Sequence, residues 1–250
     1  MLLQYRGAAF GGLVTQIFFG LVIVMTYEAF YRSSGKMQPM SIAEVRSYIW
    51  LGQAMLAMLP WNVESEMRVM IRNGAVAYDL LRPVSLYGLW FARTLAFRTA
   101  PTLLRAVPLY LIALAFFGLR LPASPAAAAA WALATFGALL LGCAVTTLLT
   151  ITLLWTISGE GINFLVYALV ILLSGMNIPI PLLPDWLRPI VEFLPFRGLI
   201  DTPFRLYLGN LPARAVFQGL LHQVAWAAGL VGAGLALMRI GLRRIAIQGG

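Results

Sequence analysis

The sequence predicts an all-α polytopic membrane protein with six transmembrane helices, organised as a single domain over residues 1–250. Three observations carry that prediction. Hydrophobic residues make up 61% of the chain and charged residues only 11%, and the mean hydropathy is +0.85, so a soluble domain of this size would lack the charge to cover its surface. Apolar runs long enough to cross a bilayer recur at about 8–30, 47–62, 99–119, 126–157, 162–178 and 214–238, each near the roughly 20 residues a spanning helix needs. Apart from Arg105, the arginines, like most prolines, fall between these runs or at their edges. The net charge of +9 is therefore read as membrane lipid contact, with no nucleic-acid partner, because the basic residues flank apolar spans.

Arg6 precedes the first run, which is too long for a signal-peptide core and lacks a small-residue cleavage pattern, so it reads as a retained helix. The second run is short and stops at Pro60-Trp61. Residues 63–86 then form a charged amphipathic stretch. If 66–82 is mainly helical, Met67, Met70, Ile71, Gly74, Tyr78 and Leu81 share one side, and Arg68, Arg72, Asp79 and Arg82 share another. Such a stretch either docks a water-soluble partner or lies among lipid headgroups with its arginines snorkelling. Gly74 relaxes or breaks the helix and Pro83 stops it.

The third run carries Pro101 and Pro108 and should bend there, while the fourth is long enough to tilt or protrude. Ser158-Gly159-Glu160-Gly161 is a tight turn before the fifth run. Residues 175–214 hold prolines at 179, 181, 184, 189, 195, 203 and 212, which exclude one continuous helix. Trp186, Phe193, Phe196 and Ile200 make the same segment too apolar for a solvated loop. Short helices dipping back into the membrane satisfy both facts, and the other reading is an aromatic belt lying flat on the headgroups. In the last run Ala225, Gly229, Ala233 and Ala228, Gly232, Ala236 form two small-residue rows, read as helix packing within the chain or as a subunit interface.

Six spans place both termini on one side. The basic residues divide almost evenly between the two faces, and the tail cluster Arg239, Arg243 and Arg244 tips the balance toward a cytoplasmic C-terminus. Arginine in place of lysine, with abundant alanine, points to a bacterial source, since Lys36 is the single lysine.

Candidates for chemistry are few. His222 is the single histidine and Cys143 the single cysteine, so no histidine metal cluster, serine triad or disulfide is assembled within the chain. Gln218 and His222 share a helix face and read as a polar seam. Thr146, Thr147, Thr150, Thr152 and Thr156 read as hydroxyls bonding their own helix one turn back. Glu28, Arg105 and Glu160 are not central enough in a span to mark an ion-coupled carrier. No phosphate-cradling glycine loop ending in Gly-Lys-Ser/Thr is present, so nucleotide hydrolysis, if it drives this protein, belongs to another chain.

These parts resemble the membrane subunit of an ABC-2 type transporter, a type II exporter-like permease with six spans. The resemblance rests on Glu64, Glu66, Gly74, Leu80, Leu81 and Pro83 after the second span, with Ile71-Arg72-Asn73-Gly74 and Leu81-Arg82-Pro83-Val84-Ser85. It also rests on Pro179, Pro184, Trp186, Leu194-Pro195-Phe196, Pro203, Tyr207 and Gly209, which look like the family's extracytoplasmic re-entrant helices. It implies that Glu64, Glu66, Met70, Ile71, Arg72, Gly74, Asp79, Leu81, Arg82 and Pro83 couple to an ATPase. Arg72, Asp79 and Arg82 would supply polar contacts, and Met70, Ile71 and Leu81 apolar anchors. The implied partners are a dimer of ABC ATPase subunits, which hold ATP and Mg, and a second permease, identical or homologous; no cofactor is implied on this chain. The implied activity is ATP-driven export across a bacterial inner membrane, with both termini cytoplasmic; a stand-alone carrier or channel is the other reading. One departure is that only Met1 to Arg6 precede the first span, where the family carries an amphipathic elbow helix. The elbow is then vestigial or encoded upstream.

Overall fold

The computed structural model describes residues 2–35, 37–156 and 159–248. Lys36 and Ser158 lie outside the described residues, as do the side chains of Arg6, Arg243 and Arg244. The described chain is helical throughout: α1 (Leu2–Ser33), α2 (Ile42–Ala54), α3 (Ser65–Arg72), α4 (Val76–Leu80), α5 (Leu86–Phe116), α6 (Pro125–Thr152), α7 (Glu160–Leu173), α8 (Arg188–Phe193), α9 (Asp201–Leu208) and α10 (Val216–Gln248), with short 3-10 turns between them.

Among the described residues, four helices are long and apolar enough to cross a membrane, spanning Phe10–Ser33, Leu86–Phe116, Pro125–Thr152 and Ala213–Leu242. The second and fifth apolar runs instead give helices of 13 and 14 residues, about 20 Å long, against a hydrocarbon layer of about 30 Å. The reason is local for α2. Ser41 caps it, accepting from the Glu44 amide while Glu44 returns the bond to the Ser41 amide, a reciprocal cap that fixes the start. Its last eight residues, Ser47 to Ala54, are buried. A 3-10 turn at Leu56–Met58 and an irregular stretch through Pro60 then carry the chain onward.

Helix α5 begins thirteen residues before the third apolar run, because Ser85 caps it by accepting from the Gly88 amide and Arg93 and Arg98 both find partners. Pro101 and Pro108 sit inside it. Arg98 is 2% exposed and donates to the carbonyls of Leu59 and Asn62 and, at 3.2 Å, to Thr146 Oγ1. The guanidinium thereby ties the non-helical break after α2 to α5 and α6.

The core joins α2, α5, α6, α7 and α9 around Trp50, Leu51, Leu109, Leu141 and Tyr207. At one end, α9 is drawn onto the bundle: Tyr207 donates to the Arg120 carbonyl at 2.7 Å and meets the Tyr110 hydroxyl at 2.5 Å. Tyr48 of α2 donates to Asp201, which also pairs with Arg205 at 3.4 Å. The α3–α4 hairpin lies at the other end, beside the start of α5 and the end of α6.

The last helix departs from two expectations. Both small-residue rows, Ala225-Gly229-Ala233 and Ala228-Gly232-Ala236, face outward, so they do not pack within the chain. The polar seam is built by His222 and Gln223, with Gln218 exposed. Gln223 Nε2 reaches the carbonyls of Ala134 and Gly198, each at 2.8 Å, and His222 Nε2 lies 3.1 Å from the Phe193 carbonyl. Thr150 and Thr156 donate to the carbonyls four residues back, at 2.9 and 3.2 Å, as read from the sequence, whereas Thr146 Oγ1 accepts from Arg98 and Thr147 Oγ1 is buried without a partner.

Candidate coupling hairpin

The stretch 63–86 folds as two short helices rather than one. Helix α3 ends at Arg72, and Gly74 takes φ +75°, a left-handed conformation that glycine adopts without a side-chain clash. Asn73 Oδ1 accepts from the Ala75 amide at 3.0 Å and starts the turn into α4. The continuous apolar face expected over 66–82 is therefore split. Met67 and Val76 are buried against Leu86, Tyr87, Trp90 and Leu149, with Met70 and Ile71 packed beside them. Tyr78 and Leu81 instead face outward, at 73% and 81% exposure.

Asp79 of the hairpin is buried and Glu64 half-buried, while Glu66 stays largely exposed although it is paired. Arg93 of α5 grips Glu64 at 2.7 and 3.2 Å and Glu66 at 2.6 Å, with Met70 Sδ 3.4 Å from its Nη1. Asp79 is 6% exposed and lies 3.6 Å from Arg82, whose own side chain remains largely in solvent. Arg72 and Pro83 are exposed. Of the residues singled out in the sequence, Arg72, Leu81 and Arg82 thus form an outward surface, joined by Val69, Tyr78 and Val84. Glu64, Glu66, Met70 and Ile71 form the joint with the bundle.

Sequence reasoning missed the other half of this surface. A groove of about 480 Å³ runs between the hairpin and the end of α6, lined by Ile71, Arg72, Leu80, Leu154 and Trp155 among others. Leu153, Leu154 and Trp155 continue α6 by turn bonds to Thr150, Ile151 and Thr152, and in the sequence they look like the tail of an apolar span. Arg93 was also missed as an anchor, since a basic residue near a span edge reads first as an orientation signal.

The second group of singled-out residues divides by depth. Pro179, Pro195, Pro203 and Tyr207 are buried, Phe196 is partly buried, and Pro184 and Trp186 are exposed. Pro179 precedes the 3-10 turn Ile180–Leu182, and Gly209 ends α9 with φ +80°. Trp186, Ile190 and Phe193 form an outward apolar rim, while Ile180, Leu183 and Val191 close a small core beneath it. Among the described residues no group of three histidine, cysteine or acidic side chains could hold a metal ion.

An all-helical chain with several bilayer-length apolar helices is a multi-pass membrane protein. A family model described as ABC-2 family transporter protein matches residues 17–249. The chain belongs to the ABC-2 transporter family and is a membrane permease of an ABC transporter. Comparison with curated proteins and with solved structures finds no match.

Proposed function

We propose that this permease forms half of an export pathway in a bacterial inner membrane and is driven through its α3–α4 hairpin by a separate ATPase dimer that holds ATP and Mg. The observation that carries this reading is the two-sided hairpin. One side is locked to α5 by Arg93, and the other presents Tyr78, Leu81 and Val84 with Arg72 and Arg82 among them. Exposed apolar groups ringed by charge mark protein contact surfaces. A rigid inner joint is what lets a partner's motion reach the spans.

The chain path supports six crossings. Helices α2 and α7 run between the hairpin end and the α8–α9 end, and each is completed by non-helical chain. With the hairpin in the cytoplasm, both termini are cytoplasmic, and α8 and α9 dip back from the outer face as re-entrant helices. A second permease, identical or homologous, completes the pathway.

The test is co-purification from native membrane, with ATPase turnover measured in the complex. Arg72→Glu with Arg82→Glu should abolish assembly or transport-linked turnover. Intact assembly and turnover in that double variant refute the assignment.

A further inference from the structure

Arg105 is a half-buried cation inside an apolar run, and packing among the described residues leaves it unpaired. It lies in α5, twelve residues beyond Arg93 and eleven before the helix end at Phe116, roughly 18 Å and 16 Å along the axis respectively. Arg93 is bound to acids of the hairpin, so Arg105 starts from within the apolar part of the helix. All nine acidic residues of the sequence are described, and none pairs with it. Among the described residues it makes no hydrogen bond and no ion pair. Arg98, about two helical turns away on the hairpin side, has backbone and threonine acceptors instead.

The guanidinium is laid against α1. A Cβ at Gly12 would come within 2.9 Å of Arg105 Cζ and 3.1 Å of its Nε, so the missing side chain at Gly12 is what makes room for it. Gly12 lies near the start of the first apolar run, which begins at about residue 8, after Arg6. The long arginine side chain therefore reaches back along the helix to the level where α1 enters the hydrocarbon. One turn further along the same face of α1 is Gln16, 4% exposed, with its Oε1 buried and without a partner. The α1–α5 seam thus holds a charged donor fork with no acceptor and a buried acceptor with no donor.

We infer that Arg105 and Gln16 form a site for the anionic headgroup of an amphiphile, a phosphate ester with an apolar tail, at the α1–α5 seam. A guanidinium pairs two parallel N–H donors with phosphate oxygens, and a headgroup hydroxyl can donate to Gln16. The tail has exposed apolar surface beside that face of α1 to lie on, at Phe19, one turn beyond Gln16. The leaflet, cytoplasmic, rests on the orientation proposed above; the chemistry of the site does not.

The test uses the purified full chain in mixed micelles, with bound lipid counted by native mass spectrometry. Wild type should retain phosphatidylglycerol over phosphatidylcholine, and Arg105→Gln should lower that preference about tenfold. Arg120→Gln, a change at an exposed arginine outside the seam, should leave it unchanged. Gly12→Leu keeps the charge but takes the guanidinium's place, and it should also lose the preference; it serves where Arg105→Gln fails to fold. Soluble glycerol phosphate should not displace the lipid. Equal retention in wild type and the seam variants, or displacement by soluble glycerol phosphate, overturns the inference. None of these outcomes depends on ATPase coupling, so failure here is distinct from failure of the proposed function.

Discussion

Arg98 of α5 ties the chain after α2 to α6. It donates to the carbonyl of Leu59, which also accepts from the Trp61 amide, to that of Asn62, an exposed residue, and to Thr146 Oγ1. Losing hydrogen bonds from a buried charged donor costs about 1–3 kcal/mol. Arg98→Met should therefore lower stability by about 1–3 kcal/mol, read as a fall in detergent melting temperature, and Arg98→Lys should fall between. Arg93 acts on the exposed side of the same joint. Its pair with Glu64 is about a quarter exposed and its pair with Glu66 more so, so screening limits their worth to about 1 kcal/mol. Arg93→Gln should leave the bundle folded while amide exchange in α3 rises and transport-linked turnover falls. Neither role was legible in the sequence. Basic residues near span edges announce orientation, whereas their acidic and hydroxyl acceptors lie 27 to 48 residues away in the chain. Gln223 was hidden for the same reason, since its two carbonyl partners come from α6 and from the turn before α9.

At the scale of elements, the sequence pattern located the hairpin but misjudged its shape. Gly74 and Pro83 marked the break and the stop, and both stand where a helix ends or has ended. The apolar face did not continue across the break, because a residue in the left-handed conformation redirects the chain and gives α4 a new axis. Gly74→Val meets open space, so its cost is the backbone alone, about 1–2 kcal/mol. It should reduce partner binding without unfolding the bundle, which circular dichroism and pull-down would read together. Leu81→Asp should change stability by less than about 0.5 kcal/mol, because the side chain is out in solvent. It should nonetheless abolish ATPase binding in the same pull-down. The proline-rich segment was legible as broken helix. Its anchoring was not, because the Tyr207, Tyr110 and Arg120 contacts join three separate elements.

For the whole molecule, composition alone placed the chain in a membrane, and the family match agrees over residues 17–249. The number of crossings was less direct, since hydropathy counts apolar residues whether or not they are helical. Two of the six runs fold as short helices continued by turns. The account's weight falls on which side of the bilayer the hairpin occupies. Cys143, the lone cysteine, is fully buried, so a single cysteine introduced at Leu81 reports on a silent background. A membrane-impermeant maleimide applied to intact spheroplasts and to inverted vesicles is the direct measurement. The account predicts labelling only in inverted vesicles, and protection there once the ATPase is bound; labelling from the outer side of intact spheroplasts contradicts it.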